Sequence, residues 1–227
     1  MLFPVVNEVW PFYFGTISLF VLLGLAARLL NFKKTTCVCY FLALFGAGFM
    51  LFFFRDPERI PPADPAAIVA GADGTVLAVK DMREDNFLKT DVVRISIFLS
   101  LLDVHVNRAP IGGKISFLRY YPGKRYFTFM EKSSDYNQHS SILIENERTR
   151  CLVNQIVGPV ARRVVYWLKL GQTVGAGERI GMMKFGSRLD MYFPKADVAV
   201  LVKPGAKVEA GVTVVAVLKS DVGGGGK

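Results

Sequence analysis

Apolar and polar positions follow two regimes along the chain. Pro11 to Leu30 is a run of 20 residues whose one charge is Arg28, and Cys37 to Phe54 is a run of 18 with none. Each is close to the roughly 20 residues an α-helix needs to span the hydrocarbon core of a bilayer. Neither shows a polar stripe, so both read as lipid-facing rather than as a buried core pair. The short connector Asn31 to Thr36 makes them a helical hairpin. Positive charge follows the first run instead of preceding it, and a second run comes after, which argues against a cleaved signal peptide.

After Arg55 the texture becomes short runs of Val, Ile, Phe and Tyr bounded by Gly, Pro and Asp, the pattern of strands and turns. Thr75 to Val79, Val92 to Leu99, Lys114 to Tyr120, Ser140 to Ile144 and Val198 to Val202 are predicted strands. Val157 to Leu168 has mixed periodicity and fits a helix or a long strand. The expected architecture is mainly β (α+β). Residues 1–54 form a membrane-associated hairpin and residues 55–227 a β-rich body.

An internal repeat lies in that body. Lys169 to Gly177 and Lys203 to Gly211 both read K-x-G-x-x-V-x-A-G, 34 residues apart. Two copies are too few for a solenoid. Glycines at matched turn positions with a valine between them predict two similar hairpins closing a small sandwich or barrel. This resembles the barrel-sandwich hybrid of lipoyl and biotinyl carrier domains.

Composition changes the picture in one respect. The chain is 52% hydrophobic and 21% charged, with mean hydropathy +0.33, which excludes a disordered chain and is oilier than an ordinary cytosolic domain. The first 54 residues hold three basic side chains and one acidic, so the remainder holds 25 basic and 18 acidic. A basic body beside a membrane anchor suits anionic lipid. Nucleic acid is the rival for a basic chain, but no helix-turn-helix, zinc spacing or basic tail is present. The connector with Arg28, Lys33 and Lys34 is as basic as the flank with Arg55 and Arg59, so the positive-inside rule taken literally puts the body outside. A hairpin that dips into one leaflet keeps connector and body on the same side.

Cys37 and Cys39 lie in the oily head and Cys151 stands alone, so neither a disulfide framework nor a thiolate metal site is expected. His105 and His139 are the only imidazoles. His139, among Asp135, Asn137, Gln138 and Ser140, reads as part of a surface loop.

The chemistry lies between the repeats, in Phe185-Gly186-Ser187 followed by the strand-like Arg188 to Pro194. Further stretches accompany it: Phe53-Phe54-Arg55-Asp56-Pro57-Glu58-Arg59, Ala72-Asp73-Gly74, Leu102-Asp103-Val104-His105-Val106-Asn107-Arg108-Ala109-Pro110, Tyr121-Pro122-Gly123 and Asn146-Glu147-Arg148. In order and spacing, from Phe53 to Leu218, they resemble the phosphatidylserine decarboxylases, pyruvoyl enzymes made as proenzymes. The likeness is greatest to the short, membrane-associated form.

That resemblance implies a set of roles. Ser187 attacks the carbonyl of Gly186, glycine being the residue that best tolerates the bend. His105 serves as base and Asp73 as its carboxylate partner, the logic of a serine triad generalised. The resulting ester undergoes β-elimination. Its products are chains 1–186 and 187–227, and hydrolysis of the dehydroalanine left at 187 makes a pyruvoyl group from Ser187. The implied cofactor is that group, without a metal. It forms a Schiff base with phosphatidylserine and accepts the electrons released with CO2, leaving phosphatidylethanolamine.

Larger relatives carry a second histidine where Arg108 stands, so either His105 serves both self-cleavage and later protonation or another residue shares the work. Arg108, with Arg119, Lys124 and Arg125, is a candidate for the lipid phosphate or serine carboxylate, because guanidinium pairs with either in bidentate fashion. The expected partners are phosphatidylserine, anionic membrane lipid and the chain's own cleaved fragment. Association with a second copy stays open. Bacterial relatives imply the inner membrane with the body on its cytoplasmic face. The competing reading is a membrane-anchored carrier or adaptor, because Met183-Lys184 lies between the repeats where carrier domains present a modified lysine. The glycine-rich end, Gly223 to Gly226, reads as a flexible tail.

Overall fold

The computed structural model describes residues 4–124, 126–131, 133–159, 164–184 and 187–219. The chain divides into two compact units, Met1–Glu58 and Arg59–Lys227, so Arg55-Asp56-Pro57-Glu58 stays with the helices.

In the first unit, α1 (Trp10–Leu29) and α2 (Lys33–Phe53) form the expected hairpin, turned at Asn31 with φ of 62°. Their shared face is built from small residues. Gly24, Ala27, Cys39, Ala43 and Ala47 are buried, and a Cβ added at Gly24 would come within 2.6 Å of the Tyr40 ring. One added at Gly46 would meet Thr16 Cγ2 at 2.6 Å. Because Gly24 meets Tyr40 while Gly46 meets Thr16, the helices run antiparallel. Small residues four apart on α2 let two backbones approach closely where lipid offers no hydrophobic drive. Leu22, Leu29, Phe41, Leu44 and Phe45 point outward and stay exposed. Both helices are long and apolar enough to cross a membrane, and little of either is buried. Two exposed apolar helices of this length suit membrane association.

The second unit is mainly β. Its elements are β1 (Ala67–Val69), β2 (Gly74–Glu84), β3 (Thr90–Leu99), β4 (Val106–Arg108), β5 (Gly113–Tyr121), the single turn α3 (Ser133–Tyr136), β6 (His139–Glu145), β7 (Arg150–Val157) and β8 (Val164–Tyr166). There follow β9 (Thr173–Val174), β10 (Arg179–Met183), β11 (Ser187–Pro194), β12 (Val198–Val200), β13 (Lys207–Val208) and β14 (Val214–Leu218). All five predicted strands are present. The described ends of Val157 to Leu168 are extended, Val157 closing β7 and Val164–Tyr166 forming β8. His139 is half-buried at the head of β6 rather than in a loop, stacked on Tyr121 at 5.0 Å, because its ladder partners sit on β5 and β7.

Eight strands form one sheet in the order β13-β2-β3-β11-β7-β6-β5-β9. Two three-stranded sheets, β1-β14-β12 and β4-β10-β8, share its core. Strand alternation sorts the central strand β11: Leu189, Met191 and Phe193 join the apolar core, and Arg188, Asp190 and Tyr192 take the opposite face. Fully burying each of those three apolar side chains is worth about 1.5–3 kcal/mol.

The repeat has a structural meaning. Its strands β9 and β13 are the two edges of the large sheet, and its glycines Gly171, Gly177, Gly205 and Gly211 have φ of 83°, 76°, 90° and 73°. The copies meet: a Cβ added at Gly211 would lie 3.3 Å from Gly177 Cα. A side chain at either position would be strained in φ, and at Gly211 it would also come within 2.8 Å of Arg108 Cδ and crowd Gly177.

Candidate active site

Ser187 is the first residue of β11, laddered to Leu99 at the end of β3 and to Val157 at the end of β7. It is fully buried, and its hydroxyl has no hydrogen-bond partner among the described residues. An unsatisfied buried hydroxyl costs about 1–3 kcal/mol, so its persistence at a strand head calls for a chemical reason. Phe185 and Gly186 lie outside the described residues. The chain that precedes them is tied down at Met183, whose N–H donates to the His105 carbonyl at 3.3 Å, and the chain that follows is tied down by β3 and β7.

His105 is buried just before β4. Its Nδ1 lies 2.9 Å from the Asp103 carbonyl. A carbonyl only accepts, so Nδ1 carries the hydrogen and Nε2 of the neutral ring holds the lone pair a base requires. Asp103 in turn shapes the connection from β3: its Oδ2 accepts from Ser100 N at 2.8 Å and from Ser100 Oγ at 2.7 Å. The sequence reading gave Asp103 no role. The Ser100-x-x-Asp103 spacing was the signal available, a local side-chain-to-backbone turn.

Asp73 is buried beside the same strand end. It precedes Gly74, which has φ of 147° and where an added Cβ would lie 2.0 Å from the Phe98 carbonyl oxygen. Only glycine lets β2 meet β3 there. Asp73 Oδ2 accepts from Arg59 Nη2 at 2.9 Å, and Oδ1 accepts from Ala210 N at 2.8 Å. Arg59 also pairs with Glu209 at 2.6 Å. Burial pushes the Asp73 carboxyl above the usual carboxylate range, against the opposing pull of the Ala210 N–H and the Arg59 guanidinium. The hydrogen bond fixing His105 Nδ1 thus comes from a backbone carbonyl, while the Asp73 oxygens are held by Arg59 and Ala210.

Arg108 is buried in β4, donating from Nη1 to the Gly177 carbonyl at 3.0 Å, where the two repeat copies meet. The Arg119 guanidinium lies over the Tyr121 ring at 5.2 Å, and the Lys124 ammonium lies near both Tyr126 and Tyr136. Arg125 lies outside the described residues. Of the four, Arg108 is the one in the strand that follows His105.

Behind β11 lies a buried polar network. Arg188 Nε donates to Asp190 Oδ1 at 2.7 Å and Nη2 to Ser96 Oγ at 2.8 Å, while Ser134 Oγ donates to Asp190 Oδ2 at 2.7 Å. It joins β3, β11 and α3 across the sheet face opposite the core. Arg188 and Asp190 lie two residues apart on one strand face, whereas Ser96 and Ser134 are 92 and 56 residues from their partners, and no local signal reveals them.

The sequence profile of the phosphatidylserine decarboxylase family matches residues 47–216. The phosphatidylserine decarboxylase proenzyme of Desulfotalea psychrophila is 38% identical over 214 residues, covering 93% of this chain and 95% of the relative. Those of Carboxydothermus hydrogenoformans and Salinibacter ruber are 44% and 46% identical over 171 and 176 residues, covering 75% and 76% of this chain and 80% and 77% of theirs. The carrier and adaptor readings gain no support from these matches. A helical hairpin, a β-rich body and similarity spanning 77–95% of these three proenzymes lead to one conclusion: the chain belongs to the phosphatidylserine decarboxylase family.

Proposed function

We propose that this chain is a proenzyme that cleaves itself between Gly186 and Ser187 and then decarboxylates phosphatidylserine to phosphatidylethanolamine. The observation that carries the proposal is the buried, unsatisfied hydroxyl of Ser187 at the head of the central strand, next to the strand end that leads to His105.

In self-cleavage, Ser187 Oγ gives its proton to His105 Nε2 and attacks the carbonyl carbon of Gly186; the C–N bond breaks as His105 passes the proton to the freed nitrogen of residue 187, and the amide becomes an ester. The Asp103 carbonyl keeps the ring in the required tautomer. The role assigned to Asp73, whose carboxylate is held by Arg59 and Ala210, is to favour the charged imidazolium. Loss of the Cα proton of residue 187 then expels the Gly186 carboxylate as the ester Cβ–O bond breaks, leaving dehydroalanine; its enamine tautomerises to an imine, and water replaces the nitrogen, which leaves as ammonia. The residues fit a pyruvoyl group at position 187: a small side chain, a buried setting and, among the described residues, no hydrogen bond on Oγ. That group, once formed, would supply the ketone that takes up the substrate amine and the electrons released with CO2. His105 then delivers the replacing proton. Arg108 is the candidate for the anionic head group, and the body works at the cytoplasmic face of the inner membrane.

Intact mass under denaturing conditions tests the proposal, with Ser187→Ala beside the wild type. Two chains in the wild type, the smaller blocked at residue 187, and one in the variant are expected. A single 25.2 kDa chain in both would overturn it.

A further inference from the structure

Exposed apolar side chains gather around the end of the sheet where β11 begins, and none takes part in the chemistry above. Leu101 and Leu102, 47% and 67% exposed, lie just past Leu99, the ladder partner of Ser187, on the connection to His105. Phe127 and Phe129, 55% and 58% exposed, stack at 5.5 Å, and the carbonyl of the adjoining Met130 lies 3.5 Å from Arg188 Nη1. Single exposed apolar residues are ordinary on a protein surface. Four large ones on the two connections that flank one strand head mark a contact surface.

Charge identifies what it contacts. Residues 119–132 contain four basic side chains, Arg119, Lys124, Arg125 and Lys132, against Glu131 alone, and Glu131 is already paired with Arg94 and Lys80. Lysine beside tyrosine and phenylalanine is the mixture that settles at the boundary between head groups and acyl chains, and the positive charge favours an anionic surface. A second copy of this chain would set one basic rim against another.

We propose that this rim, Leu101 and Leu102 with Phe127 and Phe129, inserts into the surface of a membrane containing anionic lipid and brings residue 187 to head-group depth. The proposal rests on the phosphatidylserine decarboxylase reading. A diacyl substrate drawn fully out of the bilayer would expose both chains to water at a cost that grows with each methylene, so the site must reach the lipid where it lies. Helices that hold the chain to a membrane leave open which end of the body faces it. The rim settles that.

The test uses the full, self-processed chain and two substrates: phosphatidylserine in phosphatidylcholine vesicles, and dihexanoyl phosphatidylserine as monomers in solution. Leu101→Ser/Leu102→Ser and, separately, Phe127→Ser/Phe129→Ser are compared with the wild type after intact mass confirms cleavage. The expected result is a loss of about tenfold or more on vesicles, the scale of removing two partly inserted apolar side chains, with the monomeric rate within about twofold of wild type. Equal losses on both substrates, or no loss on vesicles, would overturn the proposal. So would loss of a dimer in either variant by analytical ultracentrifugation, since the rim would then be an interface between copies. If the leucine variant fails to process itself, the phenylalanine variant, away from the His105 connection, decides. A wild type inactive on both substrates overturns the decarboxylase reading itself.

Discussion

His105 donates from Nδ1 to the carbonyl of Asp103 at 2.9 Å, and the Asp103 carboxylate is itself fastened to Ser100. A base is only as well placed as the connection that carries it. His105→Ala is expected to abolish self-cleavage. Asp103→Ala, which frees the connection without touching the ring, is expected to slow it by on the order of a hundredfold, the penalty of about 1 Å of misplacement. Asp103→Asn retains an accepting oxygen and should cleave nearly as the wild type does. A time course of fragment appearance on denaturing gels measures all three, and an Asp103→Ala chain cleaving at the wild-type rate would refute the positioning role.

The Arg188–Asp190 pair is buried on both sides, so breaking it and replacing it should differ. Arg188→Met removes the ion-pair partner of the buried Asp190 and leaves its charge to Arg94, Ser134 and Tyr192, and a loss of up to about 3–5 kcal/mol is expected. Arg188→Met/Asp190→Leu removes both charges and should recover most of it. Denaturant unfolding in detergent, in the uncut Ser187→Ala background, compares them. A double variant no more stable than the single would show that Ser96 and Ser134 need the ions as partners.

Asp73 and Glu131 should contribute oppositely to the pH dependence of stability. Burial raises the Asp73 carboxyl above its unfolded value, so the folded state binds the extra proton and stability falls as pH rises from about 4 through the raised value. For Glu131 burial also pushes upward, but hydrogen bonds from Arg94 and Lys80 outweigh it and the group titrates below its usual range. Its contribution is present above the unfolded value and is lost as pH falls through the folded one. Thermal unfolding from acid to neutral pH should show the advantage of wild type over Asp73→Asn shrinking with rising pH, and that over Glu131→Gln growing. The reverse slope in either pair would contradict the assignment.

Two glycine replacements separate strain from collision. Gly171→Ala has a φ of 83° but open space around it, so about 1–2 kcal/mol is expected. Gly74→Ala would put a methyl 2.0 Å from the Phe98 oxygen and must prise β2 from β3, with a larger loss of stability and impaired self-cleavage. Melting temperatures and fragment yields measured together distinguish the two.

Much of this protein is written in its local sequence. Two apolar runs of membrane length, one with Arg28 as its single charge and one with none, favour helices in lipid because their backbone groups have no other partner there. The runs of β-branched and aromatic residues make strands, and the repeat glycines make matching turns because they enter positive φ at little cost. The Gly186-Ser187, His105 and Asp73 motifs single out candidates for the chemistry. What local sequence does not contain is who meets whom. Arg59 reaches Glu209 across 150 residues and Arg188 reaches Ser96 across 92, and only the strand order makes them neighbours. His139 looked like part of a polar loop because its stacking partner, Tyr121, lies on another strand. Side-chain period and turn chemistry act over a few residues and are therefore legible along the chain. Pairing in a sheet whose neighbours are far apart in sequence is decided by the one packing that buries the core and satisfies its polar groups, and that exists only in the folded structure.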